Sequence, residues 1–149
     1  MKLPLETNPQ ILLVDDNQDG LIVRKSLLEE LGYRVQLARN GEEGLKLYQD
    51  STFDVVVTDY RMPRMDGVEL IGRIRKHNPN ARIILLSGFV EPLGLTEENT
   101  GADAVIAKSS NEPLHLVRWV KRLLNRATSR KPPAAVKRLA LESTRASGR

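Results

Sequence analysis

Short apolar runs alternate with longer segments of mixed polarity from Ile11 to about Asn125. The runs are Ile11–Val14, Arg34–Leu37, Val55–Val57, Ile83–Leu86 and Val105–Ile106, rich in Val and Ile and bounded by polar or turn residues. Such runs predict the buried strands of a parallel sheet. The segments between them carry apolar residues at helical spacing. Leu21, Leu27, Leu28 and Leu31 precede Gly32, a helix stop. Leu45 and Tyr48 follow Asn40-Gly41-Glu42-Glu43, and Val68, Leu70, Ile71 and Ile74 follow Asp66-Gly67. Leu116, Val117, Val120, Leu123 and Leu124 share one face of a last helix. The crossover before the fifth run is weak: Pro92 and Gly94 interrupt it, and its apolar residues end at Leu95, before Thr96–Thr100. A short or irregular fourth helix is expected there.

Five strands alternating with five crossovers predict an α/β fold, a flavodoxin-like (βα)5 doubly wound parallel sheet in the order 2-1-3-4-5. Residues 9–126 form the expected domain. Residues 1–8 are an N-terminal extension, and 127–149 a basic C-terminal tail. Within the tail, 127–133 reads as a linker, 134–143 as a few turns of helix too short to fold alone, and 144–149 as disordered.

Composition adds little to this picture until it is divided along the chain. With 40% hydrophobic and 28% charged residues, the chain has material for a soluble core. No apolar run approaches a membrane span, and no apolar stretch near Met1 reads as a signal peptide, so a cytoplasmic protein with no membrane partner is expected. The absence of cysteine excludes disulfides, thiolate metal sites and cysteine nucleophiles. The net charge of +4 is misleading: from Arg118 onward ten Lys/Arg face one acid, whereas 1–117 holds 13 bases and 18 acids. The basic character belongs to the tail and gives the domain no nucleic-acid signature.

Open α/β sheets bind ligands beyond the carboxyl ends of their strands. There the chain places Asp15 and Asp16 after strand 1, Thr58 and Asp59 after strand 3, Ser87 and Gly88 after strand 4, and Ala107 and Lys108 after strand 5. Any one of these alone reads as a helix cap, a turn residue or a solvated surface group. Together they deliver three carboxylates, a hydroxyl and an ammonium to one edge. Three crowded carboxylates disfavour their own ionisation unless a cation joins them, and all-oxygen ligation suits Mg²⁺. Such a metal invites a phosphoryl group, with one carboxylate as its acceptor. Asp59, on a central strand between metal and lysine, is best placed.

The stretches Ile11-Leu-Leu-Val-Asp-Asp-Asn17, Val57-Thr-Asp-Tyr-Arg-Met-Pro-Arg-Met-Asp-Gly67, Leu86-Ser-Gly88 and Gly101-Ala-Asp-Ala-Val-Ile-Ala-Lys108 resemble the receiver domain of two-component response regulators. The resemblance covers about residues 9–126. It implies that Asp59 accepts a phosphoryl group from a sensor histidine kinase or histidine phosphotransfer protein. It further implies that Asp16 and Asp59 bind Mg²⁺ directly, Asp15 through water, and the Arg61 backbone carbonyl as a further ligand. Ser87 and Lys108 would grip the phosphoryl group. Pro63, Asp66 and Gly67 match the family's loop after the acceptor, with Gly67 permitting the turn into helix 3.

The chain departs from the family in several places. Ser109 follows the lysine where the family usually has a cis proline, so a trans Lys108–Ser109 bond is expected. Ser109-Ser-Asn-Glu112 offers a capping box for the last helix. Val105 stands where the family's switch aromatic usually lies. Either it packs as core, or the output face is modified and the signal is read through loops at Gly88–Leu95. Arg61 and Phe89 would flank the approach of hydrolytic water and slow autodephosphorylation. Trp119 packs at a rim or meets a partner, while His77 and His115 are expected to be solvated.

The expected function is therefore a single-domain phosphoacceptor switch, not an enzyme in the ordinary sense, that signals by binding an unidentified downstream protein or by phosphorelay. A phosphate sink and a basic tail that meets nucleic acid or an acidic partner are the alternatives, nucleic acid being the weaker. A phosphohydrolase with an aspartyl nucleophile would need a second carboxylate two positions after it, where this chain has Arg61.

Overall fold

A computed structural model describes residues 8–88 and 94–126. The elements run β1 (Gln10–Val14), α1 (Gln18–Glu30), β2 (Arg34–Ala38), α2 (Gly41–Asp50), β3 (Val55–Asp59), α3 (Gly67–His77), β4 (Ile83–Ser87), α4 (Glu97–Thr100), β5 (Ala104–Ala107) and α5 (Glu112–Leu124). All strand pairs are parallel and the order is β2-β1-β3-β4-β5. The flavodoxin-like arrangement is the one expected.

Strand periodicity splits the core into two layers. Leu12, Val14, Val56, Ile83 and Leu85 point to one face and pack with Leu70, Ile71 and Ile74 of α3 and Tyr48 of α2. Ile11, Leu13, Val55, Val57, Ile84 and Leu86 point to the other and pack with Leu21 and Leu28 of α1 and Leu116, Val120 and Leu123 of α5. β1, β3 and β4 are buried throughout, which is why they read as unbroken apolar runs. Asn17, Asn40 and Asp66 each cap a helix by accepting a backbone N–H three residues on. Gly32, at φ +94°, ends α1 where a stop was expected.

α4 is a single turn. Thr96 and Asn99 close a capping box around it, and Gly101 ends it in the left-handed region at φ +82°. Val105 is half-buried against the α2/α3 layer, and its N–H donates to Glu97 Oε2 at 3.1 Å. Trp119 packs against the α1/α5 layer with the Arg122 guanidinium 4.8 Å above its ring. His77 and His115 are exposed.

No peptide bond among the described residues is cis, so Lys108–Ser109 is trans. The capping box expected over 109–112 does not form. Asn111 precedes α5 without a side-chain cap bond, and the Glu112 carboxylate turns to Arg24. A carboxylate that can receive two charge-assisted guanidinium bonds is drawn to them over a single neutral backbone N–H. The N-terminal residues 1–7, the tail 127–149 with its linker and helix, Phe89 and most of the Gly88–Leu95 loop lie outside the described residues.

Candidate functional site

β1 and β3 are adjacent and in register, with Val14 opposite Thr58, so the residues that follow each strand emerge side by side. Asp15, 2% exposed, is held twice: its Oδ1 accepts the Asn17 N–H at 2.9 Å, and its Oδ2 accepts Arg24 Nη1 at 2.8 Å. Asp16 beside it is exposed. Asp59 ends β3, is 5% exposed, and has its Oδ1 2.7 Å from Lys108 Nζ. The same oxygen accepts the Tyr60 N–H at 3.0 Å. Carboxylate oxygens of Asp15, Asp16 and Asp59 lie within 4.8 Å of one another.

Ser87 ends β4 opposite Ala107 of β5 and is buried. The Lys108 N–H donates to the Ser87 carbonyl at 3.0 Å, so the backbone brings the two residues together where β4 and β5 end. The two come from adjacent strands.

The loop after Asp59 closes tightly. The Gly67 N–H donates to the Tyr60 carbonyl at 2.8 Å, and the Met65 N–H to the Pro63 carbonyl at 2.7 Å. Met62 and Met65 are buried while Arg61 and Pro63 face solvent, and Arg64 sits at φ +69°. A Cβ at Gly67 would overlap the Asp59 carbonyl oxygen and lie 2.7 Å from Leu85 Cδ1. The glycine is required by that close approach rather than by its own dihedral.

Burial raises the Asp59 carboxyl above the ordinary carboxylate range, and the hydrogen bond and charge of Lys108 only partly offset this, while Asp15 adds to the rise. On Arg24, burial pulls downward but the bonds and charges of Glu112 and Asp15 outweigh it, so the guanidinium is held above its usual value. The donor set of the cluster is three carboxylates with no sulfur or imidazole, which fits a hard divalent cation such as Mg²⁺.

Arg24 and Glu112 belong to this site and were not anticipated. Arg24 Nε and Nη2 each meet Glu112 at 3.0 Å, while its Nη1 holds Asp15. The trace in the sequence is slight. Arg24 falls three residues after Leu21 and four before Leu28, on the buried face of α1 where the spacing calls for an apolar residue.

Five parallel strands in this order, with acids, hydroxyl and lysine at one edge, define a receiver-type α/β domain. A family model described as the response regulator receiver domain matches residues 11–120, and the chain belongs to that family. It is 33% identical over 130 residues to the probable transcriptional regulator ycf27 of Guillardia theta, covering 85% of this chain and 51% of that relative. Of the transcriptional regulatory protein ZraR of Klebsiella oxytoca, 37% identical over 79 residues and 53% of this chain, it spans 18%. The response regulator protein TrrA of Thermotoga maritima, solved in complex with Mg²⁺ and BeF, is 37% identical with a TM-score of 0.71, covering 78% of this chain and 99% of that one. TrrA solved in complex with the histidine kinase ThkA matches at a TM-score of 0.70, 37% identity and coverage of 78% and 98%. Among the described residues no helix is long and apolar enough to cross a membrane.

Proposed function

We propose that this chain is a cytoplasmic phosphoacceptor switch of two-component signalling, taking a phosphoryl group on Asp59 from a histidine kinase or histidine phosphotransfer protein. One observation carries the reading: three carboxylates converge within 4.8 Å while Lys108 rests on the acceptor oxygen at 2.7 Å. The solved pairing of TrrA with a histidine kinase supports the choice of donor. In the reaction an Asp59 oxygen attacks phosphorus, the phosphorus–nitrogen bond to the donor histidine breaks, and the imidazole leaves with the electron pair.

Asp16 and Asp59 would hold Mg²⁺ directly, with Asp15 through water and the Arg61 carbonyl as a further oxygen. Bound there, the ion supplies charge stabilisation to the transferring oxygens. The remaining work falls to the chain. Lys108 holds Asp59 Oδ1 beforehand and is placed to follow the incoming phosphoryl oxygen. Ser87 offers a buried hydroxyl as a neutral donor to another oxygen. Asp66 and Gly67, with Pro63 on the loop, fix the backbone through which Asp59 is presented. The acyl phosphate then signals by binding a downstream protein, and loss of the phosphoryl group to water resets the switch.

Incubating the full chain with acetyl phosphate and Mg²⁺ and weighing it tests the assignment. A phosphoryl adduct on the native chain that is absent from Asp59→Asn is expected. An adduct that persists in Asp59→Asn would place the acceptor elsewhere and overturn the reading.

A further inference from the structure

Arg24 joins the acidic cluster to α5 by bonding both Asp15 and Glu112. Its guanidinium is nearly enclosed: the side chain is 11% exposed, Asp15 3% and Glu112 11%. Three of its N–H groups are committed, one to Asp15 Oδ2 at 2.8 Å and two, at 3.0 Å, to the two oxygens of Glu112. Glu112 is the first residue of α5, and its partner stands on α1, 88 positions earlier. Fork-to-carboxylate pairing of this kind fixes geometry as well as charge.

We propose that Arg24 is a positioning residue that couples cation occupancy of the acidic cluster to the first turn of α5. The inference rests on reading Asp15, Asp16 and Asp59 as a divalent-cation site. Arg24 neutralises Asp15 when no metal is there, so a cation entering the cluster competes with it for the same carboxylate. Arg24 then leans on Glu112, its remaining anion, and the start of α5 feels the change. Coupling of this kind is reciprocal: whatever weakens the Arg24–Glu112 pair tightens the hold of Arg24 on Asp15 and weakens cation binding.

The signs are fixed by this scheme. Arg24→Met removes a competing positive charge beside Asp15 and should tighten Mg²⁺ binding about tenfold. Glu112→Gln leaves Arg24 to Asp15 alone and should weaken Mg²⁺ binding about fivefold. In the Arg24→Met background, Glu112→Gln should change nothing. Arg24→Lys keeps the charge but cannot span both carboxylates, so the response of α5 should be lost.

Mg²⁺ titration of the full chain by calorimetry, with amide chemical shifts of Glu112, Leu114 and His115 followed in parallel, tests the proposal. In metal-free protein, Asp15→Asn should shift the same amides, and should not do so when Arg24 is Met. If Arg24→Met leaves native affinity unchanged or weaker, or if the Glu112→Gln penalty survives without Arg24, the coupling is wrong while the metal site stands. If the native chain binds no Mg²⁺ at millimolar concentration, the reading of the site falls and takes this inference with it. Should Arg24→Met fail to fold, Glu112→Gln and Arg24→Lys decide the matter: native affinity in the first, or a native α5 response in the second, overturns the coupling.

Discussion

The two layers that sandwich the sheet position the same site by different physical means. On the α2/α3 side the contacts are apolar and close. Gly67 sits under the Asp59 carbonyl, a Cβ at Gly41 would lie 2.8 Å from Met65 Sδ, and one at Gly44 would lie 2.9 Å from Val14 Cγ2. On the α1/α5 side the link is a nearly buried chain of charges, Asp15–Arg24–Glu112. The first layer locates backbone by excluding volume, which falls off within a few tenths of an ångström. The second locates carboxylates by neutralising them, which tolerates small shifts but not a missing partner. Under the proposed function, β3 has to hold Asp59 rigidly. The acidic residues beside it, if they are to admit and release a cation, have to be held by something a cation can displace.

The comparison breaks most visibly at Gly67. Gly67→Ala should destabilise the chain by about 3 kcal/mol, because the methyl meets backbone and the buried Leu85 and cannot swing away. Urea denaturation should show a lower midpoint with an unchanged slope, and acetyl phosphate labelling should slow because Asp59 has moved with its carbonyl.

In the charged layer the loss of a partner is what counts. Arg24→Met should cost about 2 kcal/mol in metal-free buffer, somewhat below the range for fully buried pairs because all three side chains retain a little solvent contact. Saturating Mg²⁺ should recover more of that loss than it adds to the native chain, by mass action on a tighter site. Thermal melts with chelator and with Mg²⁺ give both figures. Equal Mg²⁺ increments in the two proteins would erase the distinction between the layers.

Acid titration sharpens the charged side further. The folded-state carboxyl of Asp59 lies above its unfolded value, chiefly through burial, so the folded chain binds its proton more tightly than the unfolded chain does. Metal-free stability therefore falls as pH rises from the ordinary carboxylate value through the raised one, and levels off above it. Asp59→Asn should lack this loss. It should melt higher than native protein at neutral pH without metal, and the advantage should vanish in acid. Parallel pH–stability curves for the two proteins would mean that burial of Asp59 is fully compensated by Lys108.

How much of this could be read from the chain follows the same division. The strands of the apolar layers were legible because three of them are buried on both faces and leave unbroken Val/Ile/Leu runs. Crossover handedness left few strand orders, of which 2-1-3-4-5 is the common one at this length, and Asp15, Asp16, Asp59, Ser87 and Lys108 stood out by their places at strand ends. The short α4 was legible because apolar residues run out at Leu95. What sequence spacing could not supply was the pairing of charges between helices far apart in the chain. Arg24 looked like one more basic residue on α1, and Glu112 like the closing member of a capping box. Only the packing of α1 beside α5 brings the two within 3.0 Å, and that contact overrides the local preference.

The smallest effect isolates what glycine itself contributes to the apolar layer. Gly72 lies in the same helix as Gly67, five positions on, yet a Cβ there would meet nothing within 4 Å. Its neighbours Ile71 and Ile74 carry the packing while Gly72 faces solvent. Gly72→Ala should therefore stabilise the chain by up to about 1 kcal/mol, since alanine loses less backbone entropy in a helix interior and pays no steric penalty here. The same substitution in one helix thus takes opposite signs, separated only by whether the added methyl points at the Asp59 backbone or at water. Denaturation of the two variants side by side measures that difference directly. Destabilisation by Gly72→Ala comparable to that by Gly67→Ala would show that α3 resists any change of its glycines, and the close approach under Asp59 would lose its special standing.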